Sequence, residues 1–230
     1  MSDYIEVMVV AEGYTEKRFI EKVLSPYLAT KNIFMQSPMV GKPGQKGGDV
    51  RFSRMEKDFA MHLKQRKETY VSMFVDYYGI KTDWPGLDDA RQCTSPKGIA
   101  DAMNRATWER VVAKFTEQGA GHRFIPFIAV HEFEALLFSD VEILAAQLKV
   151  DKSAVEKILK ECGAPENINN SFDSTPYKRL KRLYAPYKKK TTGITIANLI
   201  GIEKMRSKCP LFDEWLTTLE KLQEGQHGKA

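Results

Sequence analysis

Long apolar runs, clustered cysteines, internal repeats and low-complexity tracts are all missing from this 230-residue sequence. No stretch approaches the roughly 18 apolar residues of a membrane helix, so a membrane is not among the expected partners. The first thirty residues contain acids and no uninterrupted apolar core, which argues against a secretory signal. Cys93, Cys162 and Cys209 are odd in number and lie far apart. That argues against a disulfide framework and offers no clustered cysteines for a zinc ribbon, and it favours reduced thiols in the cytoplasm. What is present is a globular composition, 43% hydrophobic and 28% charged, with a net charge of +5.

The charge is unevenly spread. Pro176–Lys208 holds ten Lys or Arg and one acid, Glu203, so that segment carries +9 and leaves −4 on the rest of the chain. An acidic region beside a basic one suits a cation site that works on a polyanion. A solvated basic helix accounts equally well for the basic run taken alone.

Three short apolar runs each end in an acid. Ile5–Ala11 runs into Glu12-Gly13, Val71–Val75 into Asp76, and Phe124–Val130 into His131-Glu132. Runs of this length read as buried strands, and the alternation with helical patterns predicts an α/β fold with a mainly parallel sheet. Ligands bind at the carboxyl ends of strands in such sheets. Phe19, Ile20, Val23, Leu24 and Tyr27 recur at helical spacing, which predicts a helix starting just after Gly13. A second strand is expected within Lys31–Val40, and a helix from Phe52 to near Lys67.

Gly41–Asp49 lacks the ending of a phosphate-binding loop and reads as a mobile connection, although Lys42 and Lys46 could touch a phosphate backbone. Residues Ile80–Ser95 read as an irregular loop. Ser95-Pro96 opens a helix to about Gln118. After Val130 the pattern turns helical, with helices expected at Ser153–Cys162, from Pro176, and at Pro210–Leu222. This divides the chain into an α/β core over residues 1–140, a basic helical extension over 141–222 and a flexible tail over 223–230.

Glu12 and Glu16 are close enough to share a cation if the helix starts near Thr15, although an acid in a first turn also suits the exposed amides there. Asp76 is either a ligand or the first residue of an Asx turn. Glu132 and Glu134, two residues apart, point about 200° apart on a helix, so both reach one point only if the helix begins between them. His131 is expected to be hydrogen-bonded structure. Converging carboxylates repel unless protonated or bound to a cation. Hard oxygen donors without sulfur point to Mg²⁺ or Mn²⁺. Lys188 is the expected transition-state cation, with Lys178, Arg179, Lys181 and Arg182 on the preceding helix as phosphate contacts.

The order Glu12-Gly13-x-Thr15-Glu16, then Asp76-x-x-Gly79, resembles the Toprim fold in its OLD-type nuclease branch. His131-Glu132-Phe133-Glu134-Ala135-Leu136, Pro176–Leu180 and Cys209–Leu216 look like a bacterial Toprim-like family, domain-of-unknown-function family 4276. By that resemblance Glu12, Glu16 and Asp76 are metal ligands. The implied activity is Mg²⁺-dependent hydrolysis of phosphodiester bonds in DNA or RNA. The implied setting is an antiviral-defence-type system with an ABC/SMC-type ATPase subunit, and the chain could also pair with itself. The sequence departs from the usual pattern at Tyr78, where Toprim enzymes carry a second acid. Either Glu132 or Glu134 supplies that carboxylate, or the protein is a nucleic-acid-binding or ATPase-docking subunit that lost catalysis.

Overall fold

The structure is a computed structural model that describes residues 4–38, 51–80, 82–168 and 174–227, with side chains through Gln223. The glycine-rich segment 41–49, with Lys42 and Lys46, lies outside the described residues. Strands β1 (Ile5–Ala11), β2 (Ile33–Gln36), β3 (Tyr70–Asp76), β4 (Phe124–Ile125) and β5 (Ile128–Ala129) form one parallel sheet. Its order is β2-β1-β3-β4, with β5 also on β3.

The third acid-ended run is therefore two short strands. Pro126 has no N–H for the ladder and interrupts the run, while Val75 N still reaches Phe127 O at 3.3 Å. β2 lies within the expected segment and alternates buried and exposed residues, as an edge strand with one covered face does.

Period-2 alternation splits the central strands between two cores. Val7, Val9, Ala11 and Phe74 face one, and Val10, Val71, Met73 and Val75 face the other. The first helical run is α1 (Tyr14–Phe19), a wider π turn at Ile20–Leu24, and α2 (Ser25–Ala29). The wide turn precedes Pro26, which cannot donate a helical hydrogen bond. Phe19, Ile20 and Leu24 pack on the first core.

The second core is covered by α3 (Phe52–Gln65), α4 (Leu87–Gln92) and α5 (Pro96–Lys114). Asp83 caps α3 through the amides of Phe52 and Ser53, at 3.0 and 3.1 Å. The helix α4 falls where the sequence suggests a loop. Gly86 takes a left-handed φ of 81°, and Asp88 and Asp89 then occupy a first helical turn, where acids are favourable. Trp84 is buried there and donates to Thr107 Oγ1 at 2.9 Å. Ser95 Oγ caps α5 as expected, accepting from Gly98 N.

A short helix, α6 (Ala120–Arg123), leads into β4. Arg123 is 5% exposed, and among the described residues no acid forms an ion pair with it. Its guanidinium donates to the carbonyls of Thr69, Leu63, Gln118 and Arg66, which ties the loop before β3 to the end of α3. Arg123→Met leaves buried carbonyls unpaired and should cost ~2–4 kcal/mol. The check is a lower urea midpoint at unchanged slope, with Arg123→Lys intermediate.

After β5 a 3₁₀ segment, Phe133–Ser139, is followed by α7 (Val141–Leu148), α8 (Lys152–Cys162), α9 (Pro176–Leu183), α10 (Ile194–Ile200), α11 (Ile202–Arg206) and α12 (Pro210–His227). Their apolar faces complete the first core: Leu144, Leu180, Ile196, Met205 and Leu216 share one cluster with Val7 and Phe74. Trp215 of α12 stacks on Phe127 at 4.5 Å and donates to Ser72 Oγ, so the polar residue inside β3 is paired. Among the described residues, no helix is long and apolar enough to cross a membrane.

Candidate active site

The carboxyl ends of β1 and β3 lie side by side, with Ala11 opposite Phe74. Glu12 leaves β1 and turns its carboxylate toward the neighbouring strand, where Oε2 accepts from Asp76 N at 3.0 Å. Gly79 closes over it. A Cβ there would lie 2.4 Å from Glu12 Oε1, so no larger residue fits without moving the acid. Asp76 Oδ1 accepts from Tyr78 N at 2.8 Å. The Asx turn is thus present, and Asp76 still faces the other acids. Glu16 stands in the first turn of α1.

The third group arrives from the far side of β5. The 3₁₀ segment starts at Phe133, between Glu132 and Glu134, which is the condition for both acids to reach one point. They meet on Lys189, whose Nζ lies 2.9 Å from Glu132 Oε1 and 3.1 Å from Glu134 Oε2. Glu132 also accepts from Tyr177 N at 3.0 Å, at the start of α9. Glu134 is fully buried, and Tyr187 donates to its Oε1 at 3.4 Å.

Two carboxylates, Glu132 and Glu134, therefore hold the ammonium directly, Glu12 and Glu16 feel its charge from further off, and Asp76 joins the group through Glu12, Glu132 and Glu16. Burial, then the Glu16 charge, push Glu12 up to about 7 against the pull of the Asp76 amide and Lys189. Burial also drives Glu134 to about 7, with Lys189 opposing it. Asp76 lies well above its ordinary value through burial and the Glu12 charge, and Glu16 is raised mainly by burial. Burial opposes the charge on Lys189, yet Glu134 and Glu132 hold it above the usual lysine range. His131 is buried beside this group and is pushed down to about 4 by desolvation; neither ring nitrogen has a hydrogen-bond partner of normal geometry among the described residues, so the expected hydrogen-bonded role is not seen.

All five acids predicted from the sequence are thus brought into one electrostatic group. The predicted cations fare differently. Lys188 is exposed, and its neighbour Lys189 is the residue the acids hold. Arg179 is engaged by Ser174 O and Glu161, and Lys181 by the carbonyls of Ala185 and Tyr187. Lys178 is half-buried and Arg182 exposed. The run Lys188-Lys189-Lys190 marked the right place but could not say which lysine turns inward.

Among the described residues, no three of Asp, Glu, His and Cys stand in an arrangement that could hold a metal ion. Glu12 is turned to the Asp76 amide, Asp76 to the Tyr78 amide, and Glu132 and Glu134 to Lys189. The donor chemistry nonetheless fits a hard divalent cation: only carboxylate oxygens are offered, and burial together with their mutual repulsion makes them costly to ionise without one.

The model of a family described as a domain of unknown function, DUF4276, matches residues 11–220. Two solved structures of the C-terminal region of the Xanthomonas campestris pv. campestris OLD protein, one phased with mercury and one with iodine, are similar to this chain. Each has 12% identity and spans 97% of its own length, with TM-scores of 0.38 and 0.39 over 96% and 97% of this chain. No curated protein matches the chain.

Proposed function

The chain belongs to the DUF4276 family, and from that premise we propose that it is a Mg²⁺- or Mn²⁺-dependent nuclease that hydrolyses phosphodiester bonds. The observation that carries this reading is the electrostatic coupling of Glu12, Glu16 and Asp76, near the ends of β1 and β3, to Glu132 and Glu134, which are paired with Lys189. The Toprim-like order of Glu12, Glu16 and Asp76 supports it, as does the basic segment that supplies Lys189. A partner ATPase of the ABC/SMC type and a defence-type setting belong to the same reading and rest on that motif resemblance.

Glu12, Glu16 and Asp76 would hold the cation, which when bound polarises a phosphoryl oxygen and stabilises the departing alkoxide. The protein's own residues set the stage for this. Gly79 and the Asp76 amide fix the Glu12 carboxylate in place. Glu132 and Glu134 use two of the three donors of the Lys189 ammonium, which leaves one for a phosphate oxygen. Tyr177 backs the ammonium with its ring face at 4.6 Å.

The test is cleavage of plasmid, single-stranded DNA and total RNA by the purified chain, with Mg²⁺, Mn²⁺ or EDTA. Divalent-dependent cutting of at least one polymer is expected. No cutting in any divalent condition, repeated with the candidate ATPase present, removes the nuclease reading and favours a nucleic-acid-binding subunit. That second reading has one specific observation behind it: Tyr78 stands half-exposed where a second strand-end acid was expected.

A further inference from the structure

We propose that the acidic centre takes single-stranded nucleic acid, with Tyr14 and Tyr78 as base-stacking platforms beside it and with Arg18 and Lys190 reaching the phosphates. This rests on the nuclease reading and narrows its substrate class. Among the described residues seven large hydrophobics are exposed, and two of them, Tyr14 at 44% and Tyr78 at 49%, lie within two residues of an acid of the centre. Each ring leaves from the end of one of the two adjacent central strands, Tyr14 after β1 and Tyr78 after β3.

Both rings are anchored. Tyr78 sits in a 3₁₀ turn whose amide is held by Asp76 Oδ1. Its ring lies near-parallel to His131 at 6.4 Å and edge-on to Tyr77 at 5.9 Å. Tyr14 is the first residue of α1, and two cations face its ring, Lys190 Nζ at 4.8 Å and Arg18 Cζ at 5.9 Å from the centroid. Arg18 Nε is buried and has no hydrogen-bond partner among the described residues. Lys190 follows Lys189, so the cation held by the acids and the cation over Tyr14 are consecutive residues.

An exposed, positioned aromatic ring whose neighbouring cations can turn from the ring to a phosphate is what an unstacked base and its phosphate require. A duplex offers no such face, because its bases are already stacked on one another. Aromatic platforms therefore select single strands, loops and ends. This gives Tyr78 a reason to replace a carboxylate: the position presents a stacking surface next to Asp76.

The test is fluorescence anisotropy on the full chain in EDTA and again in Ca²⁺, with a labelled single strand, the duplex of the same sequence and an abasic single strand. The single strand should bind at least ~10-fold tighter than the duplex, and Tyr14→Ala and Tyr78→Ala should each weaken it ~5–100-fold. Tyr14→Phe and Tyr78→Phe should stay close to wild type, and the abasic strand should not respond to any of the four changes. Equal affinity for duplex and single strand, wild-type affinity in both alanine variants, or no binding in either buffer overturns the proposal. Cleavage plays no part in the readout. Tyrosine-dependent single-strand binding without any divalent-dependent cutting would retain this assignment and reject the nuclease. Cutting with equal affinity for both forms would do the reverse.

Discussion

Replacing Glu12 with glutamine is expected to lower divalent-dependent cleavage by at least ~10²–10³-fold, the loss typical of removing one preorganised electrostatic contact. The same change should stabilise the metal-free protein at pH 8. Burial and the neighbouring Glu16 raise Glu12 to about 7 from an ordinary 4.5, so the fold prefers its protonated form. For an acid shifted upward, the favourable contribution is complete below 4.5 and is lost as pH rises through 7. At pH 8 an ionised Glu12 thus costs at most ~3.5 kcal/mol, at about 1.4 kcal/mol per unit between 4.5 and 7. Glutamine carries no charge, and its carbonyl oxygen can still accept from the Asp76 amide. Urea unfolding in EDTA should show the variant ahead of wild type at pH 8 and level with it near pH 5.

Wild type should itself become more stable as pH falls from 8 toward 5, because Glu134 and Glu166 are also raised to about 7. His131, lowered to about 4, and His62, also lowered by burial, work the other way and cost stability as pH drops below 6.5, against the larger set of raised acids. Added Mg²⁺ should stabilise wild type most at pH 8, where it competes with the fewest protons. A variant that is less stable than wild type at both pH values would mean that Glu12 is an ordinary structural carboxylate. The strand-end centre would then lose its central member.

How far this centre was legible follows from which forces placed each residue. Glu12 and Asp76 could be read because an apolar run that ends in an acid has one natural place, the end of a buried strand. Glu132 and Glu134 were legible only as a condition, and the start of the 3₁₀ segment at Phe133 met it. Lys189 was not legible. Three consecutive lysines look alike, and the choice among them is made by tertiary contacts with Glu132, Glu134 and the Tyr177 ring.

The same limit applies to the fold. The strand–helix alternation and most element starts follow from local patterns and caps such as Ser95. The break at Pro126 was visible in principle, since proline cannot donate within a ladder. By contrast, Asp83 reaches back 31 residues to cap α3, and Arg123 gathers carbonyls from three separate segments. No local pattern announces such long-range partners. The helix α4 was concealed by Trp84-Pro85-Gly86, which reads as a turn and is one, with a helical turn directly behind it.

Lys189→Met should separate that tertiary choice from its sequence neighbour. The change removes the cation that Glu134, at 0% side-chain exposure, relies on. Breaking a buried pair on one side typically costs ~3–5 kcal/mol, because the other charge is stranded. The loss should be largest at pH 8. Without Lys189 the Glu134 carboxyl rises further above 7, so protonation as pH falls toward 5 should return part of the stability.

Glu134→Gln in the same background should restore most of it at pH 8, since neither partner is then charged. Cleavage should stay absent in the double variant, because the ammonium is still missing from the centre. Lys188→Met, at an exposed position, should change stability by no more than ~0.5 kcal/mol. If the two lysine variants behaved alike, the inward turn of Lys189 would be wrong, and with it the pairing that brings Glu132 and Glu134 to the strand ends. If only Lys189→Met is destabilised, rescued by Glu134→Gln and still inactive, the ion pair organises the fold and its ammonium has a separate part in the chemistry.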